Sequence, residues 1–99
     1  MNVKIIGSHF CPQTLYSIIK CKEAGINVSF VDLSGSLGAL KEFLVLHEQD
    51  SIYTAHREMT ADKDYVQNGK IGLPCFVMED GTKTLELDRI LGIAQAKKN

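Results

Sequence analysis

The stretch Val3-Lys4-Ile5-Ile6-Gly7-Ser8-His9-Phe10-Cys11-Pro12-Gln13-Thr14 decides how this chain folds. Its first part, Val3 to Ile6, is a short β-branched run bounded by Gly7 and Ser8, which reads as a strand. Pro12 then marks a helix start, because the N–H of a first-turn residue has no intrahelical partner and proline carries none. Beyond it Leu15, Ile18, Ile19 and Lys22 recur at helical spacing, and Gly25 supplies the stop, which predicts a helix from about Cys11 to Ala24. Asn27 to Leu33 alternates and is β-rich, a second strand. Strand, helix and strand make a β-α-β unit, normally a right-handed crossover between parallel strands.

Working outward, Ser34-Gly35-Ser36 is a turn, and Ser36 is placed to cap a helix carrying Leu37, Leu40, Phe43, Leu44 and Leu46. His47 to Glu58 has no clear period and fits either a helix or an irregular excursion. Thr60 before Ala61-Asp62-Lys63-Asp64 predicts a capped helix start with acids in its first turn, Tyr65 and Val66 on its apolar side and Asn68-Gly69 at its end. Ile71 to Met78 has strand composition, with Pro74 confined to the first residue or an edge. Asp80-Gly81 is a two-residue hairpin signal joining it to a strand over Thr82 to Leu87. Asp88 then caps a last helix holding Ile90, Leu91, Ile93 and Ala94, with Lys97-Lys98 at its basic end. The order β-α-β-α-(α)-β-β-α predicts an α/β fold, a mixed four-stranded sheet flanked by helices.

Ninety-nine residues make one domain, spanning 1–99. Hydrophobic content of 44% and charged content of 23% exclude a disordered chain. Eleven basic and twelve acidic residues leave a net charge of −1, too weak a field to point to nucleic acid or an anionic membrane. The first residues lack a secretory signal's long apolar region, and no stretch approaches the roughly 20 apolar residues that span a bilayer. The chain is expected in the cytoplasm.

The cysteines are Cys11, Cys21 and Cys75. An odd number argues against a disulfide framework, and metal-ligand spacing is missing: there is no C-x-x-C and the histidines are scattered. Cys11 sits where a strand hands over to a helix, and unpaired N–H groups with the helix dipole favour negative charge there. A thiol in that setting ionises more readily, and the thiolate is the reactive form. Thr14, one turn on, would turn its hydroxyl back toward the sulfur. The alternative is a small inert cysteine in a β-α turn. Leu73-Pro74 starts a strand expected beside the first one; a cis bond there would present the Leu73 backbone to an added peptide strand, whereas a trans bond would only begin an edge strand. Cys21, ten residues beyond Cys11 on the same helix, is about 15 Å from it along the axis and reads as packing. His9 would stabilise a thiolate if protonated, but reads more simply as an exposed loop residue. His47 and His56 read as surface. Glu48, Asp50, Arg57, Glu58, Asp62, Lys63 and Asp64 read as a solvated helical face, and Phe43, Tyr53, Tyr65 and Phe76 as core.

Over nearly its whole length the sequence resembles the glutaredoxins, especially small bacterial glutaredoxin-related proteins. The likeness rests on Lys4-Ile5-Ile6-Gly7-Ser8 leading into Cys11-Pro12-Gln13-Thr14, on Leu40-Lys41-Glu42-Phe43-Leu44, on Asn68-Gly69-Lys70-Ile71-Gly72-Leu73-Pro74-Cys75-Phe76, and on Asp80-Gly81 through Leu87-Asp88. It implies a thioredoxin-like fold, Cys11 as nucleophile with Thr14 in support, and Pro74 as a cis-proline. It also implies a glutathione groove touched by Ser8, Pro12, Leu73, Pro74, Leu87 and Asp88. Glutathione would be a cosubstrate, with no tightly bound cofactor and no metal, and the partners would be glutathionylated or disulfide-bearing proteins.

The chain departs from the family at places that matter. Thr14 stands where the C-P-x-C motif has its second cysteine, so only a monothiol cycle remains, in which Cys11 takes glutathione from a mixed disulfide and hands it to a second glutathione. Ser8 replaces a lysine that meets the glycine carboxylate, and Glu86-Leu87 replaces a double glycine. Cys75 would be a substitute resolving thiol if it faced Cys11, and a core residue if it did not. Two other readings stand beside the enzyme: a non-catalytic binding module, and a glutathione-ligated iron–sulfur carrier, for which Pro12 and Ser8 are the wrong residues.

Overall fold

The computed structural model describes residues 1–68 and 70–98. Its strands are β1 (Asn2–Gly7), β2 (Asn27–Asp32), β3 (Cys75–Met78) and β4 (Lys83–Thr84); its helices are α1 (Pro12–Glu23), α2 (Leu37–Gln49), α3 (Thr54–Thr60), α4 (Tyr65–Asn68) and α5 (Leu87–Lys98), with a 3-10 turn at Ser51–Tyr53. The strands form one mixed sheet in the order β2-β1-β3-β4. β1 runs parallel to β2 from Asn2 against Asn27 to Gly7 against Asp32, and antiparallel to β3 from Val3 against Met78 to Ile6 against Cys75. β4 pairs with β3 through Phe76–Thr84 and Val77–Lys83. The predicted α/β class and mixed sheet are both present.

Strand alternation sends side chains to opposite faces, and both faces of this sheet are covered. Val3 and Ile5 of β1 and Phe76 of β3 pack with Cys21 of α1, Ile26, and Ile90 and Ala94 of α5. Ile6 and Cys75 point the other way, against Phe43 of α2 and Tyr53 of the 3-10 turn. Lys4, on that second face, is held by Glu42 of α2 at 2.7 Å.

Several expectations change. The fully buried face of α1 is Thr14, Ser17 and Cys21, with Ile18 packing half-buried at its edge, while Leu15 and Ile19 are exposed; the small side chains let α1 lie close on the sheet. The Asp80-Gly81 hairpin turns through three residues, Glu79 to Gly81, as the β3–β4 register requires. β4 stops at Thr84, whose Oγ1 accepts the Glu86 N–H at 3.1 Å and bends the chain off the sheet. α5 accordingly starts at Leu87, and Asp88 lies in its first turn instead of capping it.

The middle segment is ordered as α2, the 3-10 turn and α3. Ser36 caps α2 as expected, accepting the Ala39 N–H at 3.0 Å. Asp50 ends α2 and caps the next turn through the Ile52 N–H at 3.1 Å. Arg57 then ties α3 back by donating to the carbonyls of His47 and Asp50 at 2.6 and 2.9 Å. Thr60 ends α3 instead of starting a helix, its hydroxyl donating to the Arg57 carbonyl at 2.7 Å. α4 is therefore a single turn, with Tyr65 half-buried and Val66 exposed. The helix stop read at Asn68-Gly69 falls partly on Gly69, outside the described residues. Among the described residues no helix is long and apolar enough to cross a membrane.

Candidate thiol site

Cys11 is the residue that turns the chain from β1 into α1. Its backbone is extended (φ −95°, ψ 112°), Pro12 follows as the first helical residue, and the thiol makes no capping hydrogen bond. The Cys11 N–H donates to the Ser8 carbonyl at 2.9 Å, and its own carbonyl accepts the Leu15 N–H at 3.2 Å. The sulfur is thus partly exposed at the amino end of a helix of three turns, where the N–H groups of the first turn are free to face an anion.

The loop before it is fixed from below. Ser8 is buried, its hydroxyl bonded to that of Ser34 and accepting the Phe10 N–H at 3.1 Å. The His9 ring meets Asp32 Oδ2 at 2.7 Å, so it is engaged by β2's carboxylate and not by the thiol. Partial desolvation acts to raise the Asp32 carboxyl, and the hydrogen bonds from the His9 ring, Ser34 N–H and His9 N–H outweigh it, holding the group below the usual carboxylate range. Thr14 is fully buried, and its Oγ1 accepts the Ser8 N–H at 3.4 Å. Its methyl and hydroxyl lie on Gly7, where a Cβ would come within 2.5 Å of Thr14 Cγ2. Thr14 therefore joins α1 to the end of β1, its hydroxyl accepting from the Ser8 amide.

On the other side of the thiol stands the segment before β3. The β1–β3 ladder ends at Ile6 with Cys75, so Pro74 and Leu73 extend past it at the end where β1 gives way to Cys11. The Leu73–Pro74 peptide bond is cis. Cys11 and Leu73 line one open cleft of about 360 Å³, together with Gln13, Leu85, His56 and Lys70. A second, of about 280 Å³, continues from Gln13, Leu73 and Leu85 to Pro74, Tyr16 and Leu87. The shared residues make these two parts of one groove running from the thiol toward the start of α5.

Of the expected site residues, the fold gathers Cys11, Leu73, Pro74 and Leu87 on this groove. Ser8, Pro12 and Thr14 support it from the loop and helix without lining it, and Asp88 lies with Glu86 and Leu87 around a separate shallow depression. Cys75 is fully buried against Tyr53, so it turns into the core and away from the groove. Burial pushes its thiol up, against the lowering effect of the Tyr53 hydroxyl. Cys21 is fully buried as expected, and burial pushes its thiol up too.

Three groups escape a reading of the sequence. His56, expected at the surface, lines the cleft, and its Nδ1 is buried without a hydrogen-bond partner among the described residues. His47, likewise, is buried beside Phe43 and Tyr53. Tyr53, read only as core, donates its hydroxyl to the Gly72 carbonyl at 2.7 Å, just ahead of Leu73. The signal for the last was present in the three-residue spacing of Tyr53 and His56 after the Asp50-Ser51 break, but only the fold shows that both face Gly72. Among the described residues no cluster of three or more His, Cys, Asp or Glu is arranged to hold a metal ion. Compared with family models, curated proteins and solved structures, the chain matches none.

Proposed function

We propose that this chain is a thiol–disulfide exchange protein of the thioredoxin-like class. The mixed sheet in the order β2-β1-β3-β4, with helices over both faces, is compatible with that class. Within it, the site fits a monothiol glutaredoxin acting on glutathione mixed disulfides in the reducing cytoplasm. One observation carries the reading: a partly exposed cysteine at a helix start shares a groove with a backbone segment, Leu73, that has run past the end of its ladder.

The chemistry balances with one thiol. The Cys11 thiolate attacks the glutathione sulfur of a mixed disulfide; that S–S bond breaks, the partner leaves as its thiolate and takes a proton, and a Cys11–glutathione disulfide forms. A second glutathione thiolate attacks the bound glutathione sulfur, releasing oxidised glutathione and the Cys11 thiolate. Amides at the start of α1 stabilise the anion at both ends of the cycle. The Leu73 backbone aligns the γ-glutamyl-cysteinyl chain as an added strand would. Lys70 gives the groove a positive charge, and none of the described residues lining the Cys11 cleft is acidic, which suits a ligand carrying carboxylates.

The test is the mass of the intact protein after oxidised glutathione. Wild type is expected to gain one glutathionyl group and Cys11→Ser none. A wild type that gains none, or that instead joins Cys11 to Cys75, overturns the proposal. An adduct that forms without turnover in a glutathione-coupled disulfide reduction assay would assign the chain to the binding-module reading.

A further inference from the structure

We infer that Tyr53 is a positioning residue for the Cys11 groove, setting the direction of the Leu73 N–H through its hydrogen bond to the Gly72 carbonyl. The inference rests on the thiol-exchange reading above and adds a residue that lies outside the groove.

Tyr53 is fully buried, and its ring is hemmed in by Phe43 edge-on at 5.8 Å, His47 at 5.4 Å and His56 at 5.7 Å. It has no room to swing. Its hydroxyl donates to the Gly72 carbonyl at 2.7 Å. Gly72 adopts φ +85°, and a Cβ there would stand 2.5 Å from Tyr53 Cε1. The backbone lies directly on the ring, so this position combines a left-handed conformation with a contact only glycine allows.

The Gly72 C=O and the Leu73 N–H belong to one rigid peptide plane and point in opposite directions across it. Anchoring the oxygen to a hydroxyl in the core therefore aims the N–H away from the core. Leu73 is the residue that lines both parts of the groove, and its N–H is the donor an added strand would use. Without the anchor that plane is free to rotate, and the donor loses its fixed direction.

The experiment compares Tyr53→Phe with wild type in the rate of glutathionylation of Cys11 by oxidised glutathione, against alkylation by iodoacetamide. In the first reaction Cys11 sulfur bonds to one glutathione sulfur, the S–S bond of the reagent breaks, and glutathione thiolate leaves. In the second, iodide leaves and no backbone contact is required. The expected result is a half-saturating concentration of oxidised glutathione raised about five- to tenfold, a maximal rate within about twofold, and an unchanged iodoacetamide rate. A merely structural role would lower the melting temperature and leave half-saturation alone. Half-saturation within about twofold of wild type overturns the inference.

If Tyr53→Phe does not fold, Tyr53→Met, whose flexible side chain fills the core without a hydroxyl, makes the same test: the same selective loss is expected, and its absence overturns the inference. If wild-type Cys11 accepts no glutathionyl group, the exchange reading fails on its own. The anchor is then read by the backbone amide order parameter of Leu73 from NMR relaxation, which Tyr53→Phe lowers from about 0.85 to below about 0.6 if the hydroxyl fixes the plane and leaves unchanged if it does not.

Discussion

Gly7 and Thr14 meet where β1 ends and α1 begins, and their contact sets how close the helix start lies to the strand. A methyl at Gly7 would press on Thr14, with Cγ2 only 2.5 Å away. Thr14 is fully buried and short, so it has no flexible end to move aside. Gly7→Ala is therefore expected to lower stability by about 1–3 kcal/mol, the usual cost of overpacking. Urea unfolding should show a reduced midpoint at unchanged slope, with part of the loss recovered in the double variant that also carries Thr14→Ala. Full stability in Gly7→Ala would mean that helix and strand are less closely apposed than the structure has them. The same contact is one that the sequence around Thr14 does not announce. The residue's place in C-P-x-T directs attention to the sulfur, while the space below it directs the side chain to Gly7 and the Ser8 amide.

Among the elements, β1, α1, β2, α2 and β3 could be read from the sequence because each carries its own period or cap: the β-branched run of Val3 to Ile6, Pro12 at a helix start, Ser36 at another. Residues 47–60 could not, because what orders them is tertiary. Arg57 reaches back to two carbonyls at the end of α2, and neither acceptor leaves a mark in a residue pattern. The clamp should be separable from the core. Arg57→Leu keeps much of the stem and removes both donors, so amide exchange over residues 50–60 is expected to rise by at least about tenfold while β1 and β2 stay protected. Uniform protection in the variant would show that the clamp does not hold the segment. The buried face of α1 is hard to read from the pattern for a related reason: a helix lying close on a sheet takes small side chains at the contact, here Thr14, Ser17 and Cys21, and leaves Leu15 and Ile19 exposed.

At the scale of the whole molecule, burial of Cys21 and Cys75 couples folding to alkaline pH. Both thiols are pushed above their ordinary value by burial, so the unfolded chain releases these protons first. Their contribution to stability is complete below the unfolded thiol value of about 8.5 and falls as pH rises from there toward the higher folded values. Each thiol is expected to remove up to about 1.4 kcal/mol per pH unit across that window. Thermal unfolding under reductant at pH 7, 9 and 10 would show the decline, and Cys21→Ala should flatten it by one thiol's share. A flat profile above pH 8.5 would contradict the burial of both groups.

β1 lies between β2 and β3 and sends Val3 and Ile5 to one helix layer and Ile6 to the other. Neither half of the protein owns that strand. Melting on one side strips the other of its wall, so the upper and lower halves come apart as a single event, and the groove, which draws on both, vanishes with them.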